Sequence, residues 1–258
     1  RAQVDPFNKD ALGARVPDDN TAPSSPLHVL DDFAMSGPVG ALSTDACAFM
    51  VFPNLKIMSV QNAAHVGTTD WIFNGDFTTG VGSSVKQASI TSNFAMARPV
   101  AHGVRITCSQ ATTNATGFLH IGLFSLDDAG ATGFASCKGI PLNLGDIQSL
   151  ANYRKVTISS LTQNPLVIVN KYLDQTAFRY TDTSISDVGN TSFGMFQIPN
   201  SWMGVIIVCE GHGRPAGNPI VNVESVVHYE AQSKPGSVNP DLPAENQLLR
   251  LVIDLLES

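Results

Sequence analysis

The chain has 258 residues, of which 43% are hydrophobic and only 14% are charged, and its formal net charge is −7 at pH 7. This length allows one large domain with extensions or two small domains, and the hydrophobic fraction is enough to bury a full core. The negative charge and the lack of a Lys/Arg cluster exclude nucleic-acid binding by bulk electrostatics, which needs clustered cations.

Residues 1–35 are predicted to form an extended N-terminal arm. Four prolines interrupt residues 6–26, and the segment has too few apolar residues to form a core of its own. Residues 27–36 could also form a short helical turn that the following Gly-Pro pair ends. Because the first residue is Arg1 rather than Met, we expect a trimmed chain, with any basic arm upstream of Arg1.

Short apolar and β-branched runs alternate with Gly, Asn and Asp turns from Ala46 onward. Many short strands separated by such turns predict a β-sandwich or β-barrel, here a domain over residues 36–232. Within it, residues 127–200 are loop-rich enough to hold a projecting insertion. The predicted strands lie at 46–52, 55–60, 69–73, 98–109, 117–126, 154–160, 166–170, 177–181, 193–198, 203–209 and 220–230.

Residues 233–258 are predicted to be a linker followed by an amphipathic helix. A helix this short is marginal alone in water, so it must dock on another surface. That surface could belong to a neighbouring subunit, to a membrane or to the same chain. The apolar stripe of the predicted helix consists of Leu248, Leu249, Val252, Leu255 and Leu256.

The four cysteines are widely separated and show no C-x-x-C spacing, which indicates reduced thiols rather than a disulfide framework. Cys108 and Cys209 lie in apolar runs, where a thiol packs as a small hydrophobic group. No segment reaches the ~18 consecutive apolar residues that a membrane span requires.

No short catalytic motif occurs in the chain. The patterns of a nucleophile elbow, a zinc protease, a phosphate-binding loop and a dinucleotide fold are all absent, so we predict that the protein is not an enzyme. His212 lies between Gly211 and Gly213, which could expose it for acid–base chemistry. The alternative is a tight turn after a strand.

Glu224, His228 and Glu230 are separated by even numbers of residues, so they would share one face of a strand. A metal site or an acid–base pair could use such a face, but we interpret it as the polar face of a sandwich strand. Val226 lies on the same face, which predicts partial cover from a neighbour.

Three segments resemble the single jelly-roll capsid proteins of small icosahedral viruses, in the nodavirus-like and tetravirus-like group that includes bacilladnavirus relatives. They are Asp5-Pro-Phe with Gly13–Asp18, then Arg98–Ile106, then Val221–Glu230. Each is short, so the order and joint presence of the three carry the resemblance. It implies an all-β fold: an eight-stranded antiparallel jelly-roll sandwich with an extended N-terminal arm and a short C-terminal helix.

The resemblance implies a structural coat protein that assembles inside the host cell into an icosahedral virion shell around the viral genome. Its partners would be copies of itself, the packaged nucleic acid through a basic arm upstream of Arg1, and an unidentified host receptor. Low charge suits large neutral contacts between subunits. The alternative is a secreted or surface lectin-like β-sandwich, although only Trp71 and Trp202 could supply tryptophan to a sugar platform.

The resemblance also implies candidate sites between subunits, because some members of the group bind calcium there. Carboxylate pairs supply the oxygen ligands that calcium requires, while solvated turn carboxylates are the alternative. No other cofactor is predicted. Arg98 and Arg105 could face neighbours or packaged nucleic acid, or be ordinary surface arginines. The candidate calcium ligands are Asp18, Asp19, Asp127 and Asp128, with Asp31 and Asp32 as a further carboxylate pair.

Overall fold

The computed structural model describes residues 3–16, 24–36, 46–53, 92–125, 139–182, 202–215 and 217–234. Within these ranges the chain is mainly β-structure. None of the helices found there has the length and apolar character needed to span a bilayer.

Nine strands are described, and the predicted all-β class is confirmed. One α-helix, α1 (Leu144–Gln148), and three 3-10 turns at Lys9–Ala11, Ile158–Thr162 and Gln175–Phe178 accompany them. The strands are β1 (Ser25–Ser36), β2 (Cys47–Val51), β3 (Phe94–Thr107), β4 (Phe118–Phe124), β5 (Arg154–Thr157), β6 (Leu166–Val169), β7 (Thr181–Asp182), β8 (Gly204–Glu210) and β9 (Pro219–Ser233).

The strands form two antiparallel sheets. The first sheet has the order β1-β9-β3-β6, with the short β7 also paired to β3, and the second sheet has the order β2-β8-β4-β5. Strands β1 to β4 alternate between the sheets, and the last long strand, β9, returns to lie between β1 and β3. This interleaved order of eight strands is that of a jelly roll, which confirms the predicted architecture.

The main core lies between the sheets. Alternate residues of each strand point inward, as the pleat requires, so Val104 and Val223 of the first sheet share one cluster with Phe49, Leu119 and Ile207 of the second. All five are at most 1% exposed. The β-branched and apolar runs of the sequence therefore became strands because each could bury one face against the opposite sheet.

The outer face of the second sheet is also covered. Ile147 of α1 packs with Met50, Phe52 and Ile206 from the outward positions of that sheet. The helix begins at an Asn143 N-cap, whose side chain accepts from the Asp146 N–H while Asp146 accepts from the N-cap backbone in return. Strands β2 and β8 are thus apolar on both faces, which explains their continuous hydrophobic runs.

Residues 27–36 do not form the helical turn that we considered for them. They belong to β1, in which Val29, Phe33 and Met35 are buried while Leu30 and Ala34 are exposed. Pairing along the length of β9 imposes the extended conformation. The jelly roll therefore begins at Ser25, inside the predicted arm.

Residues 127–200 were predicted to hold a projecting insertion. The described part of this range contributes strands to both sheets. Residues 139–182 supply α1, β5, β6 and β7. The strand predicted at 177–181 is wrong for the most part, because Gln175–Phe178 is a 3-10 turn and β7 has only two residues. The predictions for 55–60, 69–73, 193–198 and the C-terminal helix lie outside the described residues.

Candidate functional site

The N-terminal segment, residues 3–16, lies on the outer face of the first sheet. It crosses the central pair of strands, where Arg98 is opposite Glu230 and Arg105 is opposite Glu224. The ring of Phe7 contacts Arg105, whereas Val16 contacts Arg98 and Glu230. The segment therefore runs antiparallel to β3 and forms an extra layer over the sheet.

Gly103 allows this layer to lie close to the sheet. A Cβ atom at this position would lie 3.0 Å from Pro6 and from the ring of Phe7. A close approach at Gly103 is therefore confirmed, although side chains rather than another backbone make it. The alternative, a bulge at Gly103, is wrong, because the register shifts between β3 and β9 lie at 94–96 and 99–101.

Arg98 and Glu230 form a buried ion pair under the segment. The two Arg98 bonds to Glu230 Oε2 measure 2.7 and 3.1 Å, and the side chains are 4% and 6% exposed. Ser24 Oγ donates to Glu230 Oε1 at 2.5 Å and the Val16 N–H to Oε2 at 3.3 Å. Arg98 also donates to the Phe178 carbonyl and stacks on Tyr180. Burial alone would raise the pKa of Glu230, but these hydrogen bonds together lower it.

Arg105 and Glu224 repeat the pairing nearer to solvent. The Arg105 Nε–H donates to Glu224 Oε2 at 2.7 Å, and the side chains are 37% and 24% exposed. The Phe7 ring lies 4.7 Å from the Arg105 guanidinium. Both arginines proposed to face neighbours or nucleic acid are therefore engaged in intrachain ion pairs.

Glu224, His228 and Glu230 share the outer face of β9 with Val226, as predicted. They alternate along the strand with inward residues such as Val223. The predicted cover comes from the same chain, because the His228 Nε2 lies 2.7 Å from the Pro6 carbonyl oxygen. A carbonyl only accepts, so Nε2 carries the proton. The three polar side chains bind three different partners and do not converge on one point.

A second polar group lies in the interior, between the sheets. Asn170 Oδ1 accepts from the Lys171 N–H, so its Nδ2 donates to the Met203 carbonyl and to His102 Nδ1. His102 must then donate from Nε2 to Ser225 Oγ, 3.1 Å away. A Ser–His nucleophile needs the opposite tautomer, with Nε2 accepting the hydroxyl proton. His102 and Ser225 are therefore not arranged as a catalytic dyad.

The burial of His102 predicts that stability depends on pH. Desolvation lowers its pKa from 6.5 to about 3. Between these values the unfolded chain binds a proton that the folded chain does not, so stability falls as the pH is lowered from about 6.5 toward 3. Urea unfolding at a series of pH values should show this slope, and His102→Gln should flatten it. An equal slope in both proteins would contradict the assignment.

His212 is buried, so the possibility that its glycines expose it for acid–base chemistry is excluded. The tight turn after a strand is confirmed, because Gly211 and Gly213 have φ of 63° and 62° directly after β8. His212 Nδ1 accepts from the Arg214 N–H, and its Nε2 lies 3.7 Å from Cys47 Sγ.

Sequence reasoning missed a third histidine group, on the outer face of the second sheet. His120 Nε2 lies 2.9 Å from Glu210 and Nδ1 lies 2.8 Å from the Tyr153 hydroxyl. Burial lowers the pKa of His120 and outweighs the opposing effect of Glu210. No sequence signal could identify this group, because its members come from three separate segments.

Asp31 and Asp32, one of the candidate carboxylate pairs for calcium, lie in β1. Asp31 and Asp32 are consecutive in β1, with Asp31 buried and Asp32 exposed, so they point to opposite faces and cannot chelate one ion together. In the part of the chain that is described, no group of three or more His, Cys, Asp or Glu could hold a metal ion. Asp18, Asp19, Asp127 and Asp128, like Leu248, Leu249, Val252, Leu255 and Leu256, lie outside the described residues.

Gly103→Val is expected to displace the N-terminal segment. The added side chain would overlap Pro6 and Phe7, which already lie at the contact limit. Hydrogen exchange of the amides in residues 3–16 should then rise at least about tenfold, while exchange in the interior of β9 stays slow. Gly13→Ala is the comparison within the segment: nothing lies within 4 Å of its added Cβ, so only the strain of its left-handed φ of 81° remains and exchange should rise less. Unchanged protection in Gly103→Val would show that the segment is not held at this point.

Comparisons with known proteins give matches only among solved structures. No family model matches the chain. No curated protein sequence matches it either. The solved structure of Tobacco necrosis virus aligns at 10% identity over 84% of this chain and 98% of that one, with a TM-score of 0.47.

Two other virus structures are similar in the same way. Cocksfoot mottle virus aligns at 15% identity over 90% of this chain and 95% of that one, with a TM-score of 0.43. A virus-like particle of the nodavirus of the prawn Macrobrachium rosenbergii aligns at 10% identity over 92% and 93%, with a TM-score of 0.42. The jelly-roll assignment itself rests on the strand order described above.

Proposed function

We propose that this chain is the coat subunit of an icosahedral virus, and that its function is to assemble with copies of itself into the virion shell. One observation carries the proposal. The three segments with a capsid-like sequence form a single structural unit, although the first and the last are more than 200 residues apart. Arg98–Ile106 and Val221–Glu230 are the paired central strands β3 and β9, and the segment that begins at Asp5 lies across them.

Exposed apolar side chains at one edge of the first sheet support self-association. Val167 of β6, Tyr172 and Leu173 are 41%, 43% and 45% exposed. In a shell, a neighbouring subunit would remove such surface from water. The low fraction of charged residues favours the same outcome, because a charge buried at an interface must be desolvated.

None of the described residues supports the lectin-like alternative. Trp202 is 1% exposed, and its Nε1–H donates to the Ala177 carbonyl beneath Phe178 and Tyr172. It is therefore not available as a platform for a sugar ring.

Electron microscopy of the purified chain tests the proposal directly. A coat subunit is expected to form uniform closed particles, and analytical ultracentrifugation should show one large species in equilibrium with small ones. A dispersed monomer at every salt concentration and pH tested would contradict the proposal.

Deletion of residues 244–258 is expected to weaken assembly or change the particle size. The apolar stripe of this tail can be stabilised only by docking, here proposed to be on a neighbouring subunit. Val252→Asp should reproduce the effect, whereas Asn246→Asp, outside the stripe, should not. Particles of unchanged size and stability from the deletion would remove the tail from the interface.

Calcium and nucleic acid remain proposed partners. If Asp18, Asp19, Asp127 and Asp128 bind calcium between subunits, a chelator should loosen the particles and added calcium should restore them. Packaging through a basic arm upstream of Arg1 would make nucleic-acid content depend on that arm. If the chelator does not change the stability of the particles, calcium is excluded as a requirement for assembly.

A further inference from the structure

The outer face of the first sheet carries a pair of histidines, of which only the His228 bond to Pro6 is described above. His28 of β1 lies directly opposite His228 of β9 in the antiparallel register. Their ring centres are 4.8 Å apart, with an angle of 54° between the ring planes. Two imidazoles bound to one zinc ion, each with a Zn–N bond of about 2.0–2.1 Å, place their ring centres roughly 5 Å apart. The spacing of the pair therefore suits a shared ion.

The protonation state of His228 fits metal binding. Its Nε2–H donates to the Pro6 carbonyl at 2.7 Å, which leaves the lone pair on Nδ1. Metal-bound histidines in proteins usually donate the other ring N–H to a carbonyl or carboxylate, which fixes the tautomer and the ring orientation. Here that carbonyl comes from the N-terminal segment.

Space and access are also present. The two rings line a partly open cavity of about 420 Å³, together with Leu12, Ala14 and Pro26 among others. His28 is exposed, whereas His228 is only 2% exposed. An ion could enter from the solvent side and keep water as its remaining ligands, as ions with an open coordination sphere do.

We propose that His28 and His228 form a two-histidine binding site for a borderline or soft divalent transition metal, of the class of Zn²⁺, Cu²⁺ or Ni²⁺. Imidazole ligands favour these ions over Ca²⁺ and Mg²⁺, which prefer oxygen. The bound ion would join β1 to β9. Through the Pro6 carbonyl on His228 it would also hold the N-terminal segment on the sheet. This site is separate from the proposed calcium ligands and does not depend on the coat-protein proposal.

The test is metal binding by the purified full chain. Competition with a chromophoric chelator should detect one Zn²⁺ per chain, with an affinity in the micromolar range. His28→Gln and His228→Gln should each weaken binding by at least about tenfold, the usual minimum for loss of a supporting group at a metal site. His120→Gln is the matched control, because His120 lies on the other sheet. It should bind as the wild-type chain does.

Electron paramagnetic resonance of the Cu²⁺-loaded chain supplies an independent measurement. The spectrum should show coupling to two imidazole nitrogens in the wild-type chain and to one in His28→Gln. If His228→Gln does not fold, the exposed His28 variant decides the question alone. No binding by the wild-type chain, or binding that His28→Gln retains in full, would overturn the proposal.

Discussion

Arg98→Ala is expected to destabilise the folded chain by about 3–5 kcal/mol, the usual cost of removing one partner from a buried ion pair. The substitution would leave the Glu230 carboxylate nearly inaccessible to solvent, without the guanidinium that it faces. It would also remove the bond to the Phe178 carbonyl and the stacking on Tyr180. Urea unfolding should report the loss as a lower midpoint at an unchanged m-value.

Arg105→Ala is the matched control for this prediction. It removes an Arg–Glu ion pair from the same two strands. At this position, however, Arg105 is 37% exposed and water can solvate Glu224. Exposed ion pairs contribute about 0–1 kcal/mol. We therefore expect a much smaller loss, to which the contact with Phe7 adds. Equal losses in the two variants would show that burial does not determine the strength of these pairs.

Gly117→Ala is expected to have a similarly large effect, of about 2–5 kcal/mol. Gly117 has a φ of 89°, which an L-residue rarely adopts, and its added Cβ would lie 2.3 Å from the Glu210 carbonyl oxygen and 2.6 Å from Gly211. These are backbone atoms, so no change of rotamer can relieve the collision. The start of β4 pairs with the end of β8, and the two would have to separate.

Gly217→Ala separates the two causes. Gly217 has a φ of 79°, close to that of Gly117, but nothing lies within 4 Å of the added Cβ. Only the cost of the left-handed conformation remains, about 1–2 kcal/mol. In thermal unfolding, Gly117→Ala should have a much lower melting temperature than Gly217→Ala. If the two melt together, the close contact at Gly117 contributes nothing to stability.

The strands that sequence analysis located best are those with a strong local pattern. The β-branched run of β9 and the apolar run of β8 were predicted to within a few residues, because each run by itself favours a pleated strand with a buried face. The turn at Gly211 and Gly213 was predicted correctly for the same local reason. Gly103 also indicated a close contact on the strand, although not that the side chains of Pro6 and Phe7 make it.

Other features depended on residues far apart in the chain. The sequence of β1 was compatible with a helical turn, and only its pairing with β9 decides that it is a strand. Arg98 is 132 residues from Glu230, so no spacing rule could pair them. The histidine groups around His102 and His120 are hidden from sequence reasoning in the same way, since each draws its partners from separate strands and loops.

The amino-acid sequence by itself determined the class of this protein. Short runs of alternating or continuous apolar residues, separated by turn residues, can bury their surface only as strands of a layered β-fold. The tertiary structure alone decided the order of the strands, the burial of each ion pair and the position of the N-terminal segment over β3 and β9. The physical reason is that strand pairing and desolvation depend on which distant residues meet, whereas strand formation depends largely on neighbours along the chain.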